Sequence, residues 1–360
     1  MSDRARPLRL GIIGCGVVAA RGHLPALRTV PDIEVVAAAD IDPERLRRLA
    51  DAFQIPRRHS DPTALLTDPE VEAVAVCVPA RLHVEIALAA LEAGRHVFLE
   101  KPIALSLVDG NRLIARARRS SLTALMGFNL RWHRLVRQAR EMLRREIVGR
   151  VELVRSVLAS NTRSHGNAPA WRKRRELGGG EFFETAVHHF DLWRFLLDTD
   201  IEEIFATSRS AQWEDETAAV TARLANGALA TAAFSTATRD ANEVEIHGQQ
   251  GCLSLSLLRF DGLQFTGIST HPGDLRSRLR GFARTLAALP PAALRARQGG
   301  DFIDSYRSEW RHFAACVQKG APVACTLEDG HRALEATLAA LDSASQGRVV
   351  RMAPATDRTR

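Results

Sequence analysis

The sequence predicts an α/β chain: an N-terminal doubly wound parallel sheet followed by an α+β domain built on an open, mainly antiparallel sheet. Three observations carry this. In roughly the first third, short apolar runs alternate with amphipathic segments of helix length, the signature of parallel strands covered on both faces. After Arg131, runs with period-two alternation follow one another directly, as antiparallel strands do. At 360 residues the chain also exceeds what one ordinary core serves. The expected division is residues 1–127 and 128–360, with the C-terminal helix packing back toward the first domain.

LRLGII (8–13) reads as the first strand because it is apolar and runs into glycines. IEVVAAA (33–39) is the second and ends at Asp40; VEAVAVCV (71–78), HVFLE (96–100) and a run near LTALMGF (122–128) follow. Between them HVEIALAALEAG has helical periodicity and a glycine stop at Gly94. The second part opens with a long helix, RLVRQAREMLRREI, then strands VELVRSVLA, IEEIFATSRSAQ, TAAVTARLA and ALATAAFSTA. Residues 271–300, rich in Gly, Pro and Arg, read as a surface insertion or lid, and EDGHRALEATLAALDSAS as a closing amphipathic helix.

Composition narrows the function classes. The hydrophobic fraction of 46% and charged fraction of 25% are those of an ordinary globular chain. The net charge of +7 comes from arginines interleaved with Glu and Asp, so no nucleic-acid partner is expected, and an anionic cofactor or substrate accounts for the excess. The five cysteines form no CxxC pair and have no His at ligand spacing; no metal is expected, and a reducing compartment is. The opening residues carry no apolar leader segment and no run reaches membrane-spanning length, giving the expectation of a cytoplasmic chain with no membrane partner. Lysine occurs only at 101, 173 and 319, which makes a Lys inside a motif conspicuous.

The first such motif is GIIGCGVVAA, where Gly14, Gly16 and Ala19 stand as G-x-G-x-x-A between a strand and a helix. The first Gly permits the turn, the second lets the backbone approach a pyrophosphate, and the small third residue lets the helix pack on the sheet. Asp40, at the end of the second strand, stands where an acid hydrogen-bonds the ribose hydroxyls of NAD, or else caps the helix begun by PER. A carboxylate there repels a 2′-phosphate, and no Arg follows at once, so NAD is expected over NADP. Pro79 and His83 (P-x-x-x-H) and the triplet Glu100-Lys101-Pro102 close two further strands, at the edge where doubly wound sheets bind ligands. Taken singly, His83 reads equally as a capping or packing residue and Lys101 as an exposed loop cation.

The second motif is GGGEFFETAVHHFDLWRFLL. Glu184, His188, Asp191 and Phe195 fall at i, i+4, i+7 and i+11, one face of an α-helix. Three ionisable groups in line beside Phe182, Phe183, Phe190 and Trp193 either line a polar cleft or pair with one another; His188 and Asp191 as a solvated surface pair is the bland alternative.

The fingerprint, the P-x-x-x-H segment, EKP and the GGG segment together make the chain resemble the glucose-fructose oxidoreductase, inositol dehydrogenase and MocA family, from Leu10 to about Val350. The resemblance implies a Rossmann domain, an α+β domain whose open sheet often mediates homo-oligomerisation, and a Lys101 beside both the nicotinamide and the reacting hydroxyl. It implies that His188 exchanges a proton with that hydroxyl, that the acid at 184 orients it, and that Asp191 is a substrate or structural contact. The family's usual D-x-G-x-H-x-x-D is altered here: Glu184 replaces Asp and Ala186 replaces Gly. An imidazole titrating near neutrality suits reversible proton transfer, and a lysine ammonium stabilises developing alkoxide charge.

Asn129, Arg131, Arg163 and Arg172 are further candidates for meeting a sugar or polyol, Arg131 standing equally as the partner of an acid at the domain seam. The expected activity is NAD(P)-dependent hydride transfer at a secondary alcohol or ketone of a sugar, cyclitol or nucleotide-sugar. A redox-neutral enzyme with tightly held NAD and a non-catalytic NAD-responsive regulator are the alternatives, since fold alone does not assign activity.

Overall fold

The computed structural model describes residues 6–162, 168–271 and 274–353. The chain forms two compact units: residues 1–132 with 302–334, and residues 133–301 with 335–360.

The first unit begins with β1 (Leu8–Ile13), then α1 (Leu24–Leu27), β2 (Ile33–Ala39), α2 (Pro43–Phe53), β3 (Arg57–His59), α3 (Pro62–Leu66), β4 (Ala73–Val76), α4 (His83–Glu92), β5 (His96–Glu100), α5 (Leu107–Arg118) and β6 (Ala124–Gly127). The six strands form one parallel sheet in the order β3-β2-β1-β4-β5-β6, that of a Rossmann fold. β4 is buried at every position and β1 at all but one, because helices cover both faces. Helix starts follow side-chain chemistry: Asp42 accepts from the backbone N–H of Glu44 and Arg45 with Pro43 at the first turn of α2, and Asp61 and Ser106 cap α3 and α5 in the same way. The short edge strand β3 carries the sequence RRH and no apolar pattern to announce it.

The second unit contains α6 (Arg134–Arg144), β7 (Val151–Ala159), α7 (Val187–Leu197), β8 (Ile201–Arg209), β9 (Thr217–Leu224), β10 (Leu229–Ser235), β11 (Ala241–Gly248), β12 (Gly251–Ser256), β13 (Leu263–Gly267) and α8 (Leu275–Arg297). Its eight-stranded sheet runs β13-β12-β11-β7-β10-β9-β8-β14, the last being Val350–Arg351. Every pairing is antiparallel except β7 with β10, which is parallel because the chain leaves β7 through the α7 segment, re-enters the sheet at β8 and steps back through antiparallel β9 to place β10 beside β7. Along β9 buried and exposed residues alternate strictly, so one face is core. Helix α7 lies on that face: Trp193 Nε1 donates to Ser156 Oγ on β7 at 2.8 Å, and Phe190 meets Phe234 of β10 edge to face.

Two long helices remain, α9 (Gly300–Lys319) and α10 (Leu327–Gln346). Residues 302–334 belong to the first unit rather than, as a boundary at 127/128 implies, to the second. The reason is aromatic: Trp310 stacks on Phe98 of β5 at 4.2 Å between centroids, and Tyr306, Trp310 and Phe313 join the core of the parallel sheet. Among the described residues no helix is long and apolar enough to cross a membrane.

Candidate active site

In the first unit the strand order brings the ends of β1, β2, β4 and β5 to one edge. Gly14 turns the chain with φ +99°, and a side-chain carbon there would sit 2.6 Å from the carbonyl oxygen of Cys77. Above Gly16 such a carbon would meet nothing within 4 Å, leaving the bare backbone open to a phosphate. Buried Ala19 opens a π-turn over Ala19–His23 that carries His23 into the core. Cys15 lies within the fingerprint; burial, with the nearby Asp40 charge, pushes its thiol up to about 12, so it stays protonated.

Asp40 ties β2 to the glycine turn: Oδ2 accepts from the Cys15 N–H and Oδ1 from the Asp42 N–H, both at 2.8 Å. Arg45, one turn into α2, donates to Asp40 Oδ1 at 2.9 Å. No arginine directly follows Asp40, but the helix brings one back from five residues on. The open backbone over Gly16 and the carboxylate at the end of β2 fit the pyrophosphate and ribose of a dinucleotide.

His83, Glu100, Asn129 and Arg131, each a candidate for ligand contact, are buried and engaged inside the first unit. His83 opens α4 behind the turn begun by half-buried Pro79, its Nδ1 2.7 Å from Pro102 O and its Nε2 2.8 Å from Val78 O. A singly protonated ring donates to one of these at a time, and burial holds the imidazole below its ordinary value against the pull of both carbonyls. Asn129 Nδ2 donates to Ser305 Oγ at 3.4 Å, and Arg131 donates to Asp329 Oδ2 at 3.1 Å and to Ala324 O. These two residues close the first unit rather than begin the second.

Glu100 accepts from His23 Nε2 at 2.9 Å and from the backbone N–H of Lys101 at 3.1 Å. Burial works to raise its carboxyl, but the hydrogen bond from His23, with Lys101 and His83 nearby, brings it below the usual value. The carboxylate therefore fixes the segment bearing Lys101, which is half-buried at the end of β5 and precedes a cis Pro102.

In the second unit the glycine run places the other candidates. A side-chain carbon on Gly179 would lie 2.3 Å from Arg172 O, so the 170–177 turns fold flush against the segment before α7. That segment enters α7 through a π-turn over Phe182–Ala186, closed by the Val187 N–H on Phe182 O, which takes Glu184 out of the register an unbroken α-helix gives. The stripe of four predicted from i, i+4, i+7 and i+11 is thus broken at its first member. Glu184 Oε2 instead accepts a fork from Arg172, Nε at 2.9 Å and Nη2 at 2.5 Å. His188 is half-buried in the first turn of α7, Asp191 is buried, and Phe195 lies 3.9 Å under the Arg140 guanidinium.

A small cavity beside this helix start is lined by Ser160, Thr162, Arg172, Glu184, Thr185 and Thr236, among others. Arg163 lies outside the described residues. His23, Arg45 and Trp310 were missed by sequence reasoning: His23 and Trp310 reach their partners only through the tertiary fold, and Arg45 through the helix start that follows Asp40.

This fold and site define a nicotinamide-dependent oxidoreductase. Residues 8–128 match the family described as "Oxidoreductase family, NAD-binding Rossmann fold", and residues 136–254 match the "GFO/IDH/MocA C-terminal domain". A myo-inositol 2-dehydrogenase of Thermotoga maritima is 28% identical over 354 residues, covering 96% of this chain and 98% of the relative. A dTDP-3,4-didehydro-2,6-dideoxy-alpha-D-glucose 3-reductase of Actinomadura kijaniata is 33% identical over 251 residues, 69% of this chain and 74% of the relative. Among solved structures, the WlbA dehydrogenase from Bordetella pertussis in complex with NADH and UDP-GlcNAcA superposes with a TM-score of 0.81 at 20% identity, over 98% of this chain and 99% of that one. The chain belongs to the Gfo/Idh/MocA oxidoreductase family. It is a dehydrogenase or reductase of CH–OH groups that uses NAD.

Proposed function

We propose that this chain transfers a hydride between NAD and a secondary alcohol or ketone of a sugar, cyclitol or nucleotide-sugar, with Lys101 and His188 as catalytic residues. The observation that carries the reading is the buried His23–Glu100 pair, which spends a carboxylate on fixing the backbone of Lys101 at a ligand-binding sheet edge. Such a device is costly in a core and serves a residue whose position matters.

When bound, NAD supplies the two-electron acceptor. The Lys101 ammonium stabilises negative charge developing on the substrate oxygen, and the His188 imidazole takes the hydroxyl proton as the C–H bond breaks. Glu184, held by the Arg172 fork, positions the polar groups before α7. The hydroxyls of Ser160, Thr162 and Thr236 beside Arg172 suit a polyol, and the family relatives act on inositol and on a deoxysugar nucleotide.

The test is an absorbance screen at the reduced-nicotinamide band, with NAD and NADP, over cyclitols, free sugars and nucleotide-sugars. Turnover with at least one of these classes is expected; NADH formation or consumption with none of them overturns the reading.

A further inference from the structure

Helix α8 wears its apolar residues on the outside. Leu275, Leu279, Phe282, Leu286 and Leu289 recur at alternating steps of four and three, a single stripe along the helix. All five are exposed, from 45% at Leu289 to 68% at Leu275. Among the described side chains of the helix the half-buried positions are instead small or polar: Gly281, Thr285, Ala288, Ala292 and Arg295. Polar anchors hold that side, Thr285 Oγ1 donating to Asp261 at 2.7 Å and Arg295 pairing with Asp301. A surface helix ordinarily turns its stripe inward, so the arrangement asks for an apolar phase outside the chain.

The charge of the helix says which one. Its sequence, LRSRLRGFARTLAALPPAALRAR, holds six arginines and no Asp or Glu. A second copy of the same helix would bring like charges together along a seam that Pro290 and Pro291 end after two heptads, short of the three or four that sustain a coiled coil. An anionic lipid surface meets both properties at once, with acyl chains for the exposed leucines and anionic headgroups for the segment's net positive charge.

We propose that α8 docks this chain reversibly on anionic phospholipid bilayers, lying in the headgroup plane with Leu279 and Phe282 in the acyl boundary. The sequence-based expectation of no membrane partner rests on the lack of a spanning run and does not address a surface of this kind.

The test is flotation of the full chain with vesicles of phosphatidylglycerol and phosphatidylcholine in about equal parts, against phosphatidylcholine alone. Binding to the first, at least about tenfold weaker binding to the second, and release at ~1 M salt are expected. The variant L279E/F282E should lose binding while keeping NAD affinity and sedimentation mass; L275S/L286S reads the same property with no added charge. Equal binding to both vesicle types, no binding to either, or full binding by both variants overturns the proposal. So does a drop in oligomeric mass in the variants, which would make the stripe an interface between copies.

Discussion

His23 donates through Nε2 to Glu100 at 2.9 Å while its Nδ1 accepts from the indole N–H of Trp310 at 3.1 Å. Because an indole nitrogen only donates, the contact with Trp310 assigns the ring proton to Nε2 and points it at the carboxylate. A residue of the helix after the glycine turn, the acid before Lys101 and a helix from the far end of the sequence are thereby locked into one buried chain of hydrogen bonds.

Breaking that chain at His23 removes one donor from a buried carboxylate that also accepts from the Lys101 N–H. His23→Phe is expected to cost on the order of 3 kcal/mol in a urea titration and to weaken turnover as the Lys101 segment loosens. A stability change within experimental error would show that Glu100 finds an equivalent partner.

The Asp40–Arg45 pair makes cofactor preference tunable. Asp40→Ser removes the charge that repels a 2′-phosphate and releases the guanidinium to meet one. Fluorescence titrations should show the NADP-to-NAD affinity ratio rising by about tenfold to a hundredfold, as expected for one charge-assisted contact. An unchanged ratio would mean that Asp40 serves only the turn, through the N–H of Cys15 and Asp42.

Acid should unfold the second unit through His189. Burial lowers this imidazole from 6.5 to about 4, although Asn242 accepts a hydrogen bond from it. The unfolded chain takes up a proton below pH 6.5 that the folded one refuses until about pH 4, so stability is complete above that window and falls as pH drops through it, by on the order of 3 kcal/mol. Denaturant midpoints measured from pH 7 to 4 should show this slope, and His189→Gln, which keeps a partner for Asn242, should flatten it. The same slope in both proteins would assign the proton uptake elsewhere.

The Arg172–Glu184 fork is specific to a planar guanidinium. Both Arg172→Gln and Arg172→Lys are expected to lower kcat/KM about tenfold with NAD affinity unchanged. Full activity in the lysine variant would reduce the fork to a simple charge pair.

What the sequence disclosed here follows from how locally each feature is encoded. The parallel strands and the fingerprint were legible because apolar runs and glycine spacing act within a few residues of themselves. β3 was invisible because an edge strand of RRH needs no apolar side chain. The parallel β7–β10 pair and the transfer of residues 302–334 to the first unit depend on partners far along the chain. At the site, the residue types were readable and their employment was not. Glu100 looks like a ligand contact in a motif, yet its partner His23 lies 77 residues away; Arg131 read equally as a sugar contact or as the partner of an acid, and which acid it meets, Asp329 at 198 residues' distance, was not readable. The π-turn at Phe182–Ala186 escaped because helical periodicity assumes an unbroken helix.

The central claim is that one lysine and one histidine carry the chemistry on an NAD-linked hydroxyl. It is tested most directly by stopped-flow measurement of hydride transfer for Lys101→Ala and His188→Ala beside the unaltered protein, once the screen has supplied a substrate. Each variant should bind NAD with unchanged affinity and transfer the hydride at least about a hundredfold more slowly, the loss in the histidine variant easing as pH rises. Near-normal transfer in both variants would contradict the account.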